Sequence, residues 1–407
     1  MASPFFFFRP VLAADSSWAA FDWQSSNRAA TSGTDYVKCF SGAGVAPLAS
    51  LVPLITSANP ADLSDSDFVD TFEASQVILV LPAGVLQDKR AMEKCRQLSG
   101  QGYRFGLDVD NSEILKKIPV SDFDSLRFEA AFARQELSAL DQIYLNDAGF
   151  RKIAANVGTH EMFGWLQEKG FDLYGSHFLT ARNPLAAKEP DLARLKLLKL
   201  LNIVKQDGDT REIEAIFREE PKLSYNLLRL VNSVAVGART KISSFSQAIA
   251  ILGRRQLQRW LQLLIYANNL ADNHTPNPLM QLAAARGRQM ELLCSSIVPQ
   301  PDIADLSDNA FMAGLFSLLD ILINLPMSDI LKELPMQDEV VEALLSPSNG
   351  GALGELLSAV TAAESGNFKA AEAAYNKLGI DPSTVAKAQV AAFYWASRIN
   401  VEHNHDD

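Results

Sequence analysis

Residues 222–264 read KLSYNLLRLVNSVAVGARTKISSFSQAIAILGRRQLQRWLQLL, and this stretch decides the fold of the half of the chain around it. Its apolar residues recur at every third or fourth position, a spacing that predicts helices. Gly237 interrupts the pattern and ends a first helix, and Gly253 ends a second, shorter one. Arg254 begins a third helix whose apolar side faces a core. The stretch therefore predicts an all-helical domain.

Two segments of this stretch carry a family resemblance. LLRLVNSVA at 227–235, followed by SQAIAILG at 246–253, resembles the HDOD domain. The resemblance covers residues 190–400 and implies an all-helical signalling module related to the HD metal phosphohydrolases. Members of this family generally lack the His-Asp pair that binds metal in the related enzymes.

The histidines of the chain do not supply such a metal pair. A catalytic HD domain combines a histidine, a His-Asp dipeptide and a distant aspartate, because together they hold a metal that activates water. The dipeptide His405-Asp406 lies in residues 401–407, which we predict to be a disordered tail. Asp320, in the apolar segment GLFSLLD at 314–320, is a vestigial HD-like position, for which a hydrogen-bonded structural carboxylate is the favoured interpretation over a metal ligand.

The N-terminal residues 1–185 predict a different fold, because short apolar runs alternate with helical patterns. The runs of strand length lie at 5–8, 77–81 and 104–109, and the helical patterns at 87–100 and 161–170. This alternation predicts a mixed α/β domain with a parallel sheet or barrel. Prolines at 184 and 190 mark the linker to the helical domain.

Several segments of the α/β domain resemble a degenerate EAL domain, the barrel that hydrolyses cyclic di-GMP. FDW at 21–23 is similar to the opening strand, with Asp22 where the EAL glutamate stands. GYRFGLDV at 102–109 is similar to the strand that ends in two aspartates, of which Asp108 remains. LRFE at 126–129 resembles the Lys-Ile-Asp strand, with Arg127 for the lysine and Glu129 for the aspartate. The domain is short for such a barrel, so an incomplete barrel is one alternative.

The resemblance implies a degenerate active site that has lost most of its metal ligands. A two-metal phosphodiesterase needs several carboxylates and an asparagine to hold hard cations and generate a nucleophilic water. Asp22, Asp108 and Glu129 are vestigial positions of that set, and the segments at 80–84 and 154–159 contribute no carboxylate. We therefore predict no catalytic residue, no metal and no cofactor. A residual cyclic di-GMP phosphodiesterase or a cyclic di-GMP receptor is the alternative.

Composition places the chain among soluble globular proteins. Its 407 residues are 48% hydrophobic and 21% charged, and their apolar runs fall short of the roughly 18 residues of a membrane helix. The three cysteines are isolated, without metal-ligand spacing, and are expected to be reduced thiols. These features predict a cytoplasmic protein that does not enter membranes.

Charge is distributed unevenly along the chain, whose net charge is -11. Residues 221–271 hold seven basic side chains and no acidic one, whereas residues 301–407 are strongly acidic. We predict a basic face that binds an anionic protein surface. Its candidate partner-binding residues are Arg239, Lys241, Arg254, Arg255 and Arg259.

The function predicted from the sequence is non-catalytic signal transduction through protein binding by the HDOD domain. A nucleic-acid binder that uses the basic stretch 221–271 is a further alternative, which the acidic total disfavours. A homodimer also stays open. The partner, the input signal and the pathway are not specified by the sequence.

Overall fold

The computed structural model describes residues 3–27, 31–183, 198, 201, 258–259, 261–263, 265, 277–332 and 336–399. Most of the stretch 222–264, with its three predicted helices, lies outside these residues. The chain divides into two compact units. The first consists of Met1–Ala181, Ser296–Pro299 and Ser358–Ala391, and the second consists of Arg182–Ser295, Gln300–Leu357 and Ala392–Asp407.

The first unit is built on a closed barrel of eight strands that follow one another in chain order. Strand β1 runs antiparallel to both of its neighbours, β2 and β8, and every other neighbouring pair is parallel. The predicted fold class is thereby confirmed, and the barrel is complete. The strands are β1 (Phe6–Leu12), β2 (Trp18–Ser25), β3 (Leu54–Ser57), β4 (Val77–Leu81), β5 (Arg104–Val109), β6 (Ser125–Glu129), β7 (Arg151–Ala155) and β8 (Leu173–Gly175).

Short connections explain how the barrel closes within so few residues. Strands β5 and β6, for example, are joined through the 3-10 helix Ser112–Lys117 instead of a full α-helix. Where α-helices occur, Ser32 and Ser138 begin two of them with capping boxes that use Asp35 and Asp141. The helices are α1 (Gly33–Ala43), α2 (Ala46–Leu51), α3 (Ser66–Asp70), α4 (Lys89–Ser99), α5 (Ala130–Glu136), α6 (Ala139–Ala148) and α7 (His160–Glu168).

The barrel interior is filled by aliphatic side chains from alternate positions of the strands, as the period of two requires. Each fully buried valine, isoleucine or leucine side chain stabilises the fold by about 1.5–3 kcal/mol. Polar residues of the same inward-facing rows lie beyond this layer at the carboxyl ends of four strands, as Asp22 of β2, Ser57 of β3, Asp108 of β5 and Arg127 of β6. The interior cluster consists of Val11, Ala20, Ile55, Ile78, Val80, Ile153 and Leu173.

The described part of the second unit is helical, which confirms the predicted class of the C-terminal region. The apolar segment at 306–323 forms two helices that are separated at Ser317 and Leu318, where the Leu318 backbone, with φ of −113° and ψ of 9°, leaves the helical region. The last helices of the chain, in both units, are α8 (Pro278–Leu293), α9 (Leu306–Phe316), α10 (Leu319–Ile323), α11 (Met327–Lys332), α12 (Asp338–Leu345), α13 (Gly351–Glu364), α14 (Phe368–Lys377) and α15 (Pro382–Ser397).

One apolar segment, Leu306–Ile323, is long and apolar enough to cross a membrane by composition alone. In the described structure 61% of this segment is buried within the protein, as in the core helix of a globular domain. The cytoplasmic location stays a prediction.

The C-terminal segment Ser358–Ala391 differs from its predicted assignment. The sequence places residues 190–400 in one helical domain, whereas this segment packs within the same compact unit as the barrel. Its aromatic residues explain the difference, because Phe368 stacks on Phe7 at 5.0 Å and Tyr375 stacks on Phe5 at 5.9 Å between ring centroids. The C-terminal segment Ser358–Ala391 thus covers the phenylalanine run at the start of β1.

Candidate functional site

A cluster of charged side chains occupies the end of the barrel where strands β2 to β8 have their carboxyl ends. Ligands of parallel β/α barrels bind at this end of the strands. We call this set the barrel-mouth cluster, and it consists of Arg9, Asp22, Asp108, Arg127, Glu129 and Asn156.

Strand register brings these residues together in pairs. Arg9 of β1 lies directly opposite Asp22 of β2. Asp108 of β5 lies directly opposite Arg127 of β6. Glu129 ends β6, and Asn156 follows the end of β7 with a left-handed φ of 52°. The predicted vestigial positions Asp22, Asp108 and Glu129 therefore do converge on one site.

Arg127 is the buried centre of the cluster, with 7% of its side chain exposed. Its Nε donates to Asp108 Oδ1 at 2.6 Å and its Nη2 donates to Asp108 Oδ2 at 2.9 Å, which is the bidentate geometry of a strong ion pair. Nη2 also donates to Ser57 Oγ at 2.8 Å, and Nη1 lies 3.7 Å from Asp22 Oδ1. Burial opposes the charged guanidinium, but the carboxylates, led by Asp108, outweigh it and raise the pKa of Arg127.

Arg9 neutralises the other side of the cluster. Its Nη2 donates to Asp22 Oδ2 at 2.5 Å and its Nη1 donates to Asn156 Oδ1 at 2.9 Å. Asn156 in turn donates through Nδ2 to both oxygens of Glu129, at 3.1 and 2.9 Å. Gln24 Nε2 donates to the Asp22 carboxylate as well. All three predicted carboxylates thus already accept hydrogen bonds from side chains of this chain.

The residues of the cluster do not fit the divalent cations that an EAL-type site implies. Mg²⁺ requires free carboxylate oxygens in near-octahedral geometry, but both Asp108 oxygens bond to Arg127 and both Asp22 oxygens bond to Gln24 or Arg9. Within the residues that the structure describes, no group of three or more His, Cys, Asp or Glu side chains is placed to hold a metal ion.

The vestigial HD-like position has a structural explanation. Asp320 lies in α10 of the second unit, with 26% of its side chain exposed, and its Oδ2 lies 3.4 Å from Arg182 Nη2. This ion pair fits the favoured interpretation of Asp320 as a structural carboxylate. The dipeptide His405-Asp406 lies outside the described residues.

The predicted basic face is described at one position. Arg259 is paired with Glu291 of α8 and, at 2.9 Å, with Asp308 of α9, and its guanidinium lies 5.1 Å from the Phe311 ring centroid. Its side chain is 19% exposed. This differs from the exposed orientation expected from the helical pattern, because the long side chain reaches acidic partners on neighbouring helices. The other candidates, Arg239, Lys241, Arg254 and Arg255, lie outside the described residues.

Sequence reasoning overlooked the cations and amides of the cluster. Arg9, Gln24, Ser57 and Asn156 were not predicted as site residues, and Arg127 was noted only as a replaced lysine. Arg9 lies two residues before Val11 on β1, and Gln24 lies two residues after Asp22 on β2, so each pair shares one face of its strand. Once the strands are known, this period of two places them on the inward face.

The comparison with protein families confirms the helical domain. Residues 191–336 match the family model of the HDOD domain. The chain therefore contains an HDOD domain, as the segments at 227–235 and 246–253 predict.

Two curated proteins are similar over much of the chain. The uncharacterized protein YuxH of Bacillus subtilis (strain 168) is 24% identical over 344 residues, which are 82% of this chain and 81% of YuxH. The cyclic di-GMP phosphodiesterase CdgJ of Vibrio cholerae serotype O1 is 26% identical over 251 residues, which are 61% of this chain and 56% of CdgJ.

The N-terminal region is structurally similar to EAL domains. The EAL enzyme Bd1971 in its cGMP-bound form matches with a TM-score of 0.35 and 12% identity, over 42% of this chain and 60% of that chain. The FimX EAL domain of Xanthomonas citri in complex with c-diGMP matches with a TM-score of 0.35 and 14% identity, over 44% of this chain and 87% of that chain.

Proposed function

We propose that this chain is a signal-transduction protein of the cyclic di-GMP type that acts through protein binding and not through catalysis. The HDOD domain and the EAL-like barrel support the signalling class, as does the similarity to CdgJ. The barrel is a former catalytic fold whose mouth is held by ion pairs, and the HDOD domain makes the contact with the partner.

The observation that carries the proposal is the position of Arg127. Its buried guanidinium binds Asp108 through two bonds and adjoins Asp22, so its positive charge stands among the carboxylates that would coordinate metal. A guanidinium keeps its proton in proteins and has neither an open coordination site nor a water to activate. The negative charge of Asp108 and Asp22 is thus balanced by a group that cannot activate water for hydrolysis.

A turnover assay tests the non-catalytic part of the proposal. We expect no hydrolysis of cyclic di-GMP or other cyclic dinucleotides with Mg²⁺ or Mn²⁺, and no micromolar binding of cyclic di-GMP by calorimetry. Asp108→Ala and, as a matched control, the exposed neighbour Asp110→Ala should show the same absence of turnover as the wild type. Turnover that Asp108→Ala abolishes and Asp110→Ala keeps would refute the proposal in favour of a residual phosphodiesterase, and a micromolar isotherm would favour a receptor.

The partner is expected to present an anionic surface to the basic stretch 221–271. Because Arg259 already pairs with Glu291 and Asp308, the test uses the double reversal Arg239→Glu with Lys241→Glu. It should abolish capture of the native partner, whereas reversal of the exposed Arg90 should leave capture unchanged. Loss of nucleic-acid binding instead would support the nucleic-acid alternative, and capture by both variants would place the interaction surface elsewhere.

A further inference from the structure

The seam at which the barrel closes is incomplete along β1. Strand β8 has three residues and pairs with β1 only at Val11 and Leu12. Strand β2 pairs with the other edge of β1 along its whole length. The backbone groups of Phe6 and Phe8 that point away from β2 therefore have no strand beside them in β8. Buried backbone groups without partners are costly, so another element must supply the bonds.

A helix near the end of the chain supplies them. Phe8 N donates to Gln389 Oε1 at 3.0 Å, and Gln389 Nε2 donates to the Phe6 carbonyl at 3.2 Å. The Gln389 side-chain amide offers one donor and one acceptor, the same pair of groups that a neighbouring strand presents. Gln389 is 2% exposed, so these bonds are shielded from water. A single glutamine of α15 thus replaces the missing part of β8.

The same segment covers one side of the barrel mouth. Because β1 is antiparallel to β2, its first residues lie at the carboxyl end of β2, where Phe7 pairs with Gln24 and Arg9 with Asp22. The Phe368 ring stacks on Phe7 and lies 5.2 Å from the Arg9 guanidinium carbon. At Gly366 a Cβ atom would lie 2.6 Å from Arg9 Nη1, so the turn before α14 contacts the arginine directly.

Coverage of the mouth is confined to the Arg9 side. Glu129 and Asn156 are exposed to solvent, whereas Arg9 and Asp22 each expose only 11% of their side chains. Glu364, at the end of α13, lines the same depression as Arg9, Asp22 and Arg127. The mouth therefore has an open half at Glu129 and a covered half at Arg9.

We propose that residues 358–391 are a built-in cap of the barrel, which replaces part of β8 along β1 and blocks access to the Arg9–Asp22 pair until it is released. The HDOD residues 191–336 are thereby inserted in the sequence between the barrel and its cap, so both ends of the inserted segment connect to one compact unit. The proposal is independent of the proposed function, because a docked cap covers Arg9 whether or not the cluster has activity.

Hydrogen exchange of the full chain, read by mass spectrometry, tests the seam. Gln389→Leu removes both bonds at similar volume, and we expect amides at 6–9 and 366–377 to exchange about tenfold faster while β5 is unchanged. Gln135→Leu, at an exposed glutamine of α5, should change neither region. Rapid exchange at 6–9 in the wild type, or equal exchange in both variants, would overturn the proposal.

A glycine pair tests the cap if Gln389→Leu fails to fold. Gly366→Ala and Gly149→Ala impose similar strain at φ of 79° and 76°, but only Gly366 has Arg9 in the way. We expect Gly366→Ala to speed modification of Arg9 by a dicarbonyl reagent at least threefold, with the exposed Arg90 as internal reference, and Gly149→Ala to leave it unchanged. Equal modification rates of Arg9 in the two variants would show that the segment does not act as a cap.

Discussion

Replacing Arg127 with methionine is the most direct test of how the barrel-mouth cluster stabilises the fold. Methionine keeps much of the side-chain volume, so the change removes the positive charge and its bonds without opening a large cavity. Asp108 then loses two charge-assisted hydrogen bonds, at 2.6 and 2.9 Å, and Ser57 loses one at 2.8 Å. The Asp108 carboxylate thereby loses its ion pair with Arg127 in a site where 25% of its side chain is exposed.

The expected cost follows from this burial. Removing one partner of a buried ion pair destabilises a protein by about 3–5 kcal/mol, because the remaining charge is uncompensated. Partial exposure of Asp108 places the expected value in the lower half of that range. About 3 kcal/mol is a large fraction of the 5–15 kcal/mol that typically stabilises a domain. It corresponds to opening of the barrel roughly a hundredfold more often.

Hydrogen exchange of β5 and β6 is the appropriate assay, because the chain has two compact units and a single melting temperature would combine them. Arg134→Met is the matched control. Arg134 pairs with Glu161 at 2.7 Å, but the two side chains are 42% and 74% exposed, so its loss should cost at most about 1 kcal/mol. The double variant Arg127→Met with Asp108→Asn removes both charges and should recover about 1 kcal/mol or more relative to Arg127→Met.

Two results would refute this reasoning. If Arg127→Met exchanges like Arg134→Met, the ion pair contributes no more than a surface contact. If the double variant is as unstable as the single one, the uncompensated carboxylate is not the source of the cost.

Two further predictions concern titration in the barrel unit. Burial and the Arg9 charge lower the pKa of His177, although Glu364 opposes them, and burial lowers the pKa of His160. The unfolded chain therefore binds more protons than the folded chain near pH 6. The free energy of unfolding should then fall as the pH drops below about 6.5. Urea unfolding between about pH 7.5 and about pH 5.5 should show this slope, reduced in His177→Asn, and an unchanged slope in that variant would exclude His177 as a source. Desolvation raises the pKa of the half-buried Cys39 thiol to about 12, so its alkylation near pH 8 should be much slower than in the urea-unfolded protein, and similar rates would contradict the desolvation of this thiol.

Local patterns predicted much of the barrel from the sequence. The strands at 77–81 and 104–109 are confirmed with their predicted bounds, and α4 and α7 overlap the predicted helices at 87–100 and 161–170. These elements follow from apolar periodicity, which neighbouring residues carry. The association of residues 358–391 with the barrel could not be predicted in this way. The bonds between Phe8 and Gln389 join residues 381 positions apart, and no local pattern records such a contact.

Sequence reasoning identified the acidic residues of the barrel-mouth cluster as site positions but did not identify its arginines. Asp22, Asp108 and Glu129 were found through the EAL resemblance, which draws attention to carboxylates. Arg9 and Arg127 carry no signal of their own, since an arginine on a strand is equally compatible with an exposed position. Arg259 shows the converse error, because its helical position indicated exposure while Glu291 and Asp308 hold its guanidinium. Ion pairs between distant segments depend on tertiary structure that periodicity does not contain.

Charge balance gives the carboxylates of the barrel-mouth cluster a structural role. The four residues with little exposure, Arg9, Arg127, Asp22 and Asp108, carry two positive and two negative charges, and the exposed Glu129 carries the surplus negative charge. A divalent cation would add two charges to this balanced set and would have to displace Arg127 from Asp108, against the cost of a buried unpaired guanidinium. Asp22 and Asp108 are thus the carboxylates that neutralise the two arginines, which accounts for their presence through the stability of the barrel.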